Sequence, residues 1–177
     1  DVLSNSAVTA NPSDRCYHCK NTLFRQILRA AENDGFPVLL DGTNASDDAG
    51  DRPGMRALRE LSVRSPLREC GLTKAEIRRL SREAGLFTWD KPAYACLATR
   101  IRTGEEITLQ KLKQTEKAEG FLFGLGFRDF RVRMVGNTAK LELREADLPL
   151  LLENREKIVT ELRKDYDSVL LNLEVRK

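Results

Sequence analysis

Apolar and polar residues along the first half of this 177-residue chain follow patterns that predict a layered domain. Residues 1–15 are predicted to be irregular, and apolar positions at helical spacing then predict a helix from Cys19 to about Asn33. An uninterrupted apolar run, 36–40, is typical of a short buried strand, and a loop rich in Gly, Asn and Asp follows at 41–48. A helix, a buried strand and a polar loop in this order indicate an α/β domain that binds its ligand at the carboxyl ends of its strands.

A second helix has a clear start signal. Thr73 can accept a hydrogen bond from the backbone of Glu76, whose side chain can accept one from the backbone of Thr73, which is a capping box. This helix is predicted to run to Ala84, with Gly85 as its terminator. Residues 86–106 are predicted to be mostly loop.

The second half of the chain changes character near Thr108 and predicts a small α+β unit. A two-residue Gly-Asn turn pairs Val132 with Leu141, so that the apolar side chains of two strands share one face. We therefore expect two domains, 1–104 and 105–177, with their boundary near 100–107. In chain order, the predicted elements of the second domain are a helix at about 109–125, strands at 130–135 and 138–143, a helix at about 147–164 and a last strand at 169–175.

Composition and charge are ordinary for a soluble globular protein, with 41% hydrophobic and 32% charged residues. The net charge of +3 is small and its signs are interleaved, so charge alone does not predict a nucleic-acid partner. No apolar run approaches the roughly 20 residues that span a bilayer, and the start has no signal-peptide pattern. We therefore expect a cytoplasmic protein without a membrane partner. The first Met is Met55, and we expect further residues to precede this chain in the full protein.

Four cysteines favour metal or sulfur chemistry over a disulfide framework, because the chain has no secretion signal and is long enough to bury a core. Cys16 and Cys19 form a CxxC pair at a helix start, whose positive end favours thiolates; burial or an unused pair is the alternative. A closed four-ligand zinc site is disfavoured, because it needs two ligands besides this pair, His18 would face elsewhere and the sequence has no second CxxC. Cys96 could supply a third thiolate for an iron–sulfur cluster with one open iron. The alternative is that Cys96 is buried as a small hydrophobic residue, and this packing role is the one we assign to Cys70.

The polar loop after the predicted strand is a candidate nucleotide site. Its short polar side chains suit a nucleotide and its magnesium ion, which prefers oxygen ligands; a turn with Asx caps is the alternative. Lys74, in the first turn of the capped helix, could hold a pyrophosphate with the free backbone amides, although an exposed helical lysine usually binds nothing. The candidate cofactor-binding residues are Asp41, Gly42, Thr43, Asn44, Asp47, Asp48, Arg52 and Lys74.

Two carboxylates, Glu116 and Glu119, fall within the apolar stripe of the helix that precedes the hairpin. Acids in such a position need a cationic partner, and Arg131 and Arg133 of the hairpin could supply it, with Glu142 across from Arg131. An anion site is one interpretation, because arginine binds phosphate or carboxylate in a planar fork. A structural ion-pair network is the other.

Several motifs occur in a fixed order between about residue 11 and residue 145. They are Asn11-Pro12-x-Asp14-Arg15-Cys16-Tyr17-x-Cys19-Lys20, Asp41-Gly42-Thr43-Asn44-Ala45-x-Asp47-Asp48, Asp51-Arg52-Pro53-Gly54, Val63-Arg64-Ser65-Pro66-Leu67, Gly71-Leu72-Thr73-Lys74-x-Glu76-Ile77-Arg78, Trp89-Asp90-Lys91-Pro92-Ala93 leading to Ala95-Cys96-Leu97-Ala98-Thr99-Arg100, and Arg131-Val132-Arg133. Together they resemble the LarE family of ATP-dependent sacrificial sulfur transferases, which help to make the nickel-pincer nucleotide cofactor of lactate racemase.

The resemblance implies a partial Rossmann-like PP-loop ATP pyrophosphatase domain, 1–104, followed by a small α+β domain for substrate binding or oligomerisation. It implies that ATP, with Mg²⁺, adenylates a carboxylate of a pyridinium biscarboxylate mononucleotide and releases pyrophosphate, after which sulfur attacks the acyl carbon. In some members one cysteine gives up its own sulfur and becomes dehydroalanine. Members with three cysteines are thought to hold a [4Fe-4S] cluster that carries an extra sulfide. Cys16, Cys19 and Cys96 match the second type, with Cys96 as the catalytic residue.

The resemblance also assigns substrate-binding residues and an assembly. The protein would be a homo-oligomer built from trimers, and the residues that would bind its substrate are Thr99, Glu119, Arg131, Arg133 and Glu142. The family's Ser-Gly-Gly-x-Asp-Ser phosphate loop does not occur in this sequence, so we expect this stretch alone to bind ATP poorly and to be inactive. Arg102-Thr103 also stands where the family has Pro-Tyr, and Thr99 replaces a serine while keeping the hydroxyl.

Two other functions stay open. The first is a PP-loop tRNA thiolation enzyme with a three-cysteine iron–sulfur cluster, which would need a basic, aromatic-bearing RNA surface; the near-balanced charge disfavours it. The second is a non-catalytic metal- or partner-binding module. Normal sulfur transfer after replacement of Cys16, Cys19 and Cys96 by Ser would reject the site assignment.

Overall fold

The structure, a computed structural model, describes residues 1–47 and 52–176, and Asp48 of the predicted nucleotide loop lies outside them. The chain divides into two compact units, Asp1–Lys91 and Pro92–Lys177. This division falls before the predicted 104/105 boundary, because Ile101 is buried and bridges to Met134 within the second unit. The roles of nucleotide-binding and substrate-binding domain stay predictions.

Helices make up the regular structure in the described part of the first unit. α2 confirms the predicted helix but begins earlier, so that Cys16 and Cys19 lie in its first two turns. Residues 1–15 are more regular than predicted, since the Asn5 side chain caps α1. The elements are a 3₁₀ turn at Val2–Ser4 and the helices α1 (Ser6–Thr9), α2 (Arg15–Asn33), α3 (Pro53–Glu60), α4 (Pro66–Glu69) and α5 (Lys74–Glu83).

The capping box predicted at the start of α5 is confirmed. The Glu76 amide donates to the Thr73 hydroxyl at 3.3 Å, and the Thr73 amide donates to the Glu76 carboxylate at 2.8 Å. Gly85 then adopts a φ of 68°, a left-handed conformation that costs little without a Cβ, and the helix ends before it.

The buried strand predicted at 36–40 is not formed, and that prediction is wrong. Leu40 makes only an isolated parallel bridge with Arg64, while Phe36, Val38 and Leu40 are 70%, 57% and 60% exposed. The physical reason is that an apolar run becomes a buried strand only if neighbouring layers cover both of its faces. Among the described residues, the backbone around Arg64 is the partner that this segment finds.

The second unit contains both helices and a three-stranded sheet of order β1-β2-β3. The predicted helix before the hairpin is confirmed as α6. The elements are a 3₁₀ turn at Leu97–Arg100, α6 (Leu109–Gly124), β1 (Arg131–Val135), β2 (Thr138–Glu142), a 3₁₀ turn at Glu145–Asp147, α7 (Leu148–Glu153), α8 (Arg155–Leu162) and β3 (Ser168–Leu171).

The predicted hairpin has the predicted register. β1 and β2 are antiparallel, with Val132 opposite Leu141 and Arg131 opposite Glu142. The turn residue Gly136 has a φ of 57°, which a tight hairpin turn requires. Val132 and Leu141 are buried, together with Phe127, Phe130, Leu122, Ile158 and Leu162 from the surrounding elements. The apolar face of the hairpin therefore forms one side of this unit's core.

The last two predicted elements differ in detail from the structure. The helix predicted at 147–164 is interrupted at Asn154, whose side-chain amide donates to the Leu150 carbonyl at 3.0 Å and competes with the helical backbone. β3 pairs in parallel with β2 and ends at Leu171, earlier than the predicted end at 175. Beyond it, the Asn172 amide donates to the Leu141 carbonyl of β2, and the Arg176 amide donates to the carbonyl of Leu143, just after β2.

The fold class is mixed α/β, as predicted. The Rossmann-like arrangement of the first unit stays a prediction. Among the described residues, no helix has both the length and the apolar character needed to cross a bilayer.

Candidate functional site

The predicted nucleotide loop begins with a well-bonded carboxylate, Asp41. Its oxygens accept hydrogen bonds from the Ser65 hydroxyl at 2.6 Å and from the Thr43 hydroxyl and amide at 2.5 and 3.2 Å. Burial would raise the pKa of Asp41, but these bonds and the charge of Lys20 outweigh it and hold the pKa below its usual value. Asp41 is therefore ionised at neutral pH and fixed in position.

The rest of the loop is tied to the segment that leads into α5. The Asn44 amide donates to the Asp47 carboxylate at 2.9 Å, and Arg68 donates to the Asp47 carbonyl at 2.8 Å. The amide of Lys74 donates to the Ser46 hydroxyl at 2.9 Å. Asx-type bonds from backbone amides to Asp and Asn side chains, the alternative interpretation of this loop, are therefore present in residues 41–47. The Lys74 amide, one of the amides at the start of α5 that are predicted to hold a pyrophosphate, is therefore already hydrogen-bonded to Ser46.

A cavity of 320 Å³ brings part of the predicted site together within the first unit. It is at the small end of ligand-sized cavities, and cations and a carboxylate both reach it. Gly54 closes one wall, where an added Cβ would lie 3.3 Å from the Lys20 side chain. The cavity is lined by Ser13, Cys16, Lys20, Thr43, Asp47, Arg52, Pro53, Gly54 and Met55. The predicted residues Asp41, Gly42, Asn44, Cys19 and Lys74 do not line it.

The four cysteines are free thiols. Cys16 and Cys96 are exposed and Cys19 is half-buried. Cys70 is also exposed, so its assignment to packing is wrong. The Arg15 guanidinium donates to the Cys16 sulfur at 3.8 Å. In the described part of each unit, no group of three or more His, Cys, Asp and Glu side chains could hold a metal ion. The three-thiolate site joins residues of both units and stays a prediction.

Glu119 is a carboxylate of the second unit that is only 1% exposed and accepts four hydrogen bonds. It accepts from the Arg100 guanidinium at 2.7 and 3.0 Å, from the Tyr94 hydroxyl at 2.7 Å and from the Val132 amide at 3.0 Å. The prediction that Glu119 needs a cation is confirmed, but its partner is Arg100 rather than an arginine of the hairpin. Glu116, predicted to share its environment, is exposed.

Arg100 also fixes the turn that carries Cys96. The fully buried guanidinium donates to the carbonyls of Ala95 and Cys96 at 3.1 and 3.4 Å and to the Thr99 hydroxyl at 2.9 Å. Charge-assisted bonds of this kind are stronger than neutral ones. The backbone of the turn is therefore held from inside the unit, while the Cys96 thiol is exposed to solvent.

The two predicted hairpin arginines bind the same loop. Arg131 donates to the Ala93 carbonyl at 2.7 Å, and Arg133 donates to the Thr99 carbonyl. Arg133 also pairs with Glu142 at 2.9 Å, so Glu142 binds its diagonal neighbour rather than the directly opposite Arg131. Burial, followed by repulsion from Arg100, lowers the pKa of Arg131. Arg133 is thus the more accessible of the two for an anionic ligand.

Arg100 and Tyr94 are the site residues that sequence reasoning missed. Both lie within or beside motifs already noted in the sequence, so their position was visible but their partners were not. Burial and the hydrogen bond to Glu119 raise the pKa of Tyr94 to about 12, so its hydroxyl stays a donor at neutral pH. The arrangement as a whole can present one exposed thiol at a fixed position beside arginine side chains.

Comparisons with known proteins give one functional name. No protein-family model matches the chain. An uncharacterized protein of Synechocystis sp. is 43% identical over 141 residues, which are 80% of this chain and 53% of that protein. An uncharacterized protein of Methanocaldococcus jannaschii is 33% identical over 176 residues, which are 98% of this chain and 68% of that protein. The pyridinium-3,5-bisthiocarboxylic acid mononucleotide synthase of Lactiplantibacillus plantarum is 32% identical over 163 residues, 92% of this chain and 59% of the synthase. The chain thus spans from about half to two thirds of the length of these relatives.

Proposed function

The chain belongs to the same protein family as the uncharacterized Methanocaldococcus jannaschii protein, and we propose that it is part of a LarE-type sulfur transferase that uses ATP to make a pyridinium bisthiocarboxylic acid mononucleotide. The product is taken from the name of the similar Lactiplantibacillus plantarum synthase. The structural observation that carries the proposal is the exposed Cys96 thiol on a turn that the buried Arg100 holds.

The proposed reaction has two steps that balance without a change of oxidation state. A carboxylate oxygen of the substrate attacks the α-phosphorus of ATP, and pyrophosphate leaves. A sulfur nucleophile then attacks the acyl carbon, and the C–O bond to AMP breaks. Adenylation is needed because an oxide is a poor leaving group and AMP is a good one.

In this proposal the first unit contributes residues to the site that binds ATP and its Mg²⁺ in the full-length protein. Asp47 lines the 320 Å³ cavity with Thr43 and can offer oxygen to a magnesium ion, while Lys20 and Arg52 line the same cavity and can neutralise phosphate charge. Asp41 supports this loop through its bonds to Thr43 and Ser65. Positioning of the phosphates, rather than acid–base chemistry, is the role of these residues.

The second unit would bind the mononucleotide. Arg133 is the arginine best placed to bind an anionic group of the substrate, because part of its side chain reaches solvent while Glu142 orients it. Glu119 and Arg131 are largely buried, so we assign them to positioning the 93–100 loop through Arg100 and the Ala93 carbonyl. The Thr99 hydroxyl accepts from Arg100 and donates to the Cys96 carbonyl, which ties it to the same turn.

The sulfur has two chemically distinct sources. In the sacrificial route, the Cys96 thiolate attacks the acyl carbon, and loss of the Cα proton then breaks the Cβ–S bond and leaves dehydroalanine. In the other route, Cys16, Cys19 and Cys96 would hold three irons of a [4Fe-4S] cluster, whose open iron would supply a sulfide. Three free thiols, two of them exposed, have the donor chemistry that such a cluster needs.

The decisive experiment is a comparison of Cys96→Ser with Cys70→Ser in the full-length protein, because both thiols are exposed and only Cys96 lies on the Arg100-held turn. Pyrophosphate release and thiocarboxylate formation are measured separately. We expect Cys96→Ser to keep ATP-dependent pyrophosphate release and to lose thiocarboxylate formation, and Cys70→Ser to keep both. Thiocarboxylate formation by Cys96→Ser at the unmodified rate would exclude the assignment.

The source of the sulfur is read from the protein after turnover. Protein purified without oxygen is analysed for iron and sulfide, and the mass of the Cys96 peptide is measured. Loss of the mass of H₂S from that peptide, without iron, supports the sacrificial route. Iron and sulfide in the protein, with Cys96 intact, support the cluster route.

A further inference from the structure

A second cavity in the Pro92–Lys177 unit has a basic lining that the proposed reaction does not use. It measures 600 Å³, which is within the range of small-molecule sites. We call it the lysine cavity, and it is lined by Leu109, Gln110, Lys113, Gln114, Lys117, Lys164 and Asp165. Its walls come from α6 and from the segment after α8, so the fold brings the lysines together from distant parts of the sequence.

The charges of the lysine cavity are only partly neutralised. Lys117 pairs with Asp165 at 2.6 Å, and Lys164 pairs with Glu161. The side-chain ammonium of Lys113 has no hydrogen-bond or ion-pair partner among residues 1–47 and 52–176. Both lysine side chains are more than half exposed, and ion pairs near the surface are weak, so a more highly charged anion can replace a carboxylate partner.

The other lining groups suit an organic phosphate. Gln114 donates to the Asn137 side chain at 3.2 Å and to the Asp165 backbone carbonyl, which holds the far wall in place. Leu109 is 55% exposed and offers an apolar contact beside the cations. Lysine binds phosphate as a point charge, and an apolar neighbour can bind the carbon part of the same ligand.

We propose that the lysine cavity is a binding site for a small phosphate ester, such as a nucleoside monophosphate. The phosphate lies between Lys113 and Lys117, and Leu109 contacts the organic part. Binding here does not depend on the ATP site assigned to the first unit. It gives the second unit a phosphate site separate from the Arg133 and Glu142 pair.

The test uses the whole chain with two probes, inorganic pyrophosphate and AMP, at constant ionic strength, because charge-driven binding depends on salt. Calorimetry measures affinity, and acylation of lysine amines with mass spectrometry measures which lysines each probe protects. Lys157 is the matched control, since it is an exposed lysine of the same unit that lies outside the cavity.

We expect both probes to slow the acylation of Lys113 and Lys117 and to leave Lys157 unchanged. The double variant Lys113→Ala/Lys117→Ala is expected to bind AMP about tenfold or more weakly, since charge-assisted contacts are lost. Asp165→Asn is expected to bind it about threefold more tightly, because the competing carboxylate is gone. AMP should bind more tightly than pyrophosphate per unit of charge, because Leu109 contacts its organic part.

Two further variants separate this site from the first unit's cavity. Lys157→Ala and Lys20→Ala should leave protection of Lys113 and Lys117 unchanged, whereas Lys20→Ala should weaken any binding to the first unit's cavity. Equal AMP affinity of the double variant and the unmodified protein would overturn the proposal, as would equal protection of Lys113 and Lys157. Much stronger protection by a short single-stranded RNA than by AMP would also overturn it, in favour of a polyanion surface.

Discussion

The carboxylate of Glu119 accepts four hydrogen bonds, and their three donor residues come from two separate segments of the chain, the 93–100 loop and β1. The sequence reveals that an acid sits on an apolar helix face and needs a cation, because the 3.6-residue period is local information. It does not reveal which cation, because Arg100 and the hairpin arginines are all within reach of the same helix. Only packing of the loop decides the partner.

Replacement of Glu119 by Gln is expected to destabilise the protein by about 3–5 kcal/mol, because it leaves the buried Arg100 charge without a counter-ion. The free energy of unfolding in urea measures this. Glu116→Gln is the matched control, since Glu116 lies on the same helix but is exposed, and its effect should stay within about 0.5 kcal/mol. Similar losses for the two variants would contradict the central place given to Glu119.

The raised pKa of Tyr94 predicts that the protein loses stability at high pH. Its folded pKa is about 12, above the ordinary value of 10, so its contribution is fully present below pH 10 and is lost as pH rises towards 12. We expect the free energy of unfolding to fall less steeply over this range in Tyr94→Phe than in the unmodified protein. Tyr166, with its pKa also raised to about 12 by burial, contributes equally in both. Identical slopes would show that Tyr94 ionises freely.

Among the elements, those specified by short-range signals were predicted well and those specified by their surroundings were not. The hairpin register follows from a two-residue turn and alternating side chains, and α5 follows from its capping box. The segment 36–40 has the composition of a strand, but burial of its side chains depends on layers that no local pattern encodes. The break at Asn154 was missed because one side-chain bond to Leu150 decides it.

The same distinction applies to the candidate site. The loop 41–47 and the CxxC pair were found as motifs, and the structure brings Thr43, Asp47, Arg52 and Cys16 to one cavity. The sequence could not show that Asp41 faces Ser65 instead, since that contact joins residues 24 positions apart.

The capping box makes a prediction at the level of α5. Thr73→Ala removes the acceptor for the Glu76 amide and is expected to cost about 1 kcal/mol of stability. Urea denaturation measures the cost, with Thr88→Ala as the control, because Thr88 is an exposed threonine just beyond the same helix. Equal stability of the two variants would mean that the cap contributes nothing.

For the whole molecule, the distribution of buried apolar residues differs sharply between the two units. In the described part of the first unit, only Val8, Ala57 and Leu58 are buried hydrophobic residues. The second unit buries a much larger set around Leu122, Phe130 and the hairpin. Hydrophobic burial is the dominant favourable term in folding. We therefore infer that the second unit contributes most of the hydrophobic stabilisation among the described residues.

We therefore expect residues 92–177, produced alone, to unfold cooperatively on heating, as followed by circular dichroism. Residues 1–91, produced alone, should melt without a sharp transition and bind a fluorescent dye that reports exposed apolar surface, because Phe36, Val38 and Phe87 are exposed. A cooperative transition in 1–91 without dye binding would show that the first unit has a sufficient core of its own.

The parallel pairing of β3 with β2 also sets an order of events at the ribosome. β1 and β2 are neighbours along the chain, so the nascent polypeptide can close this hairpin as soon as both strands have left the exit tunnel. Ser168 to Leu171 are translated only after α7 and α8, and until then the Thr138–Leu141 side of β2 has no neighbour. During that interval the nascent domain exposes an unpaired strand edge, and protection of this edge by a chaperone would matter most then.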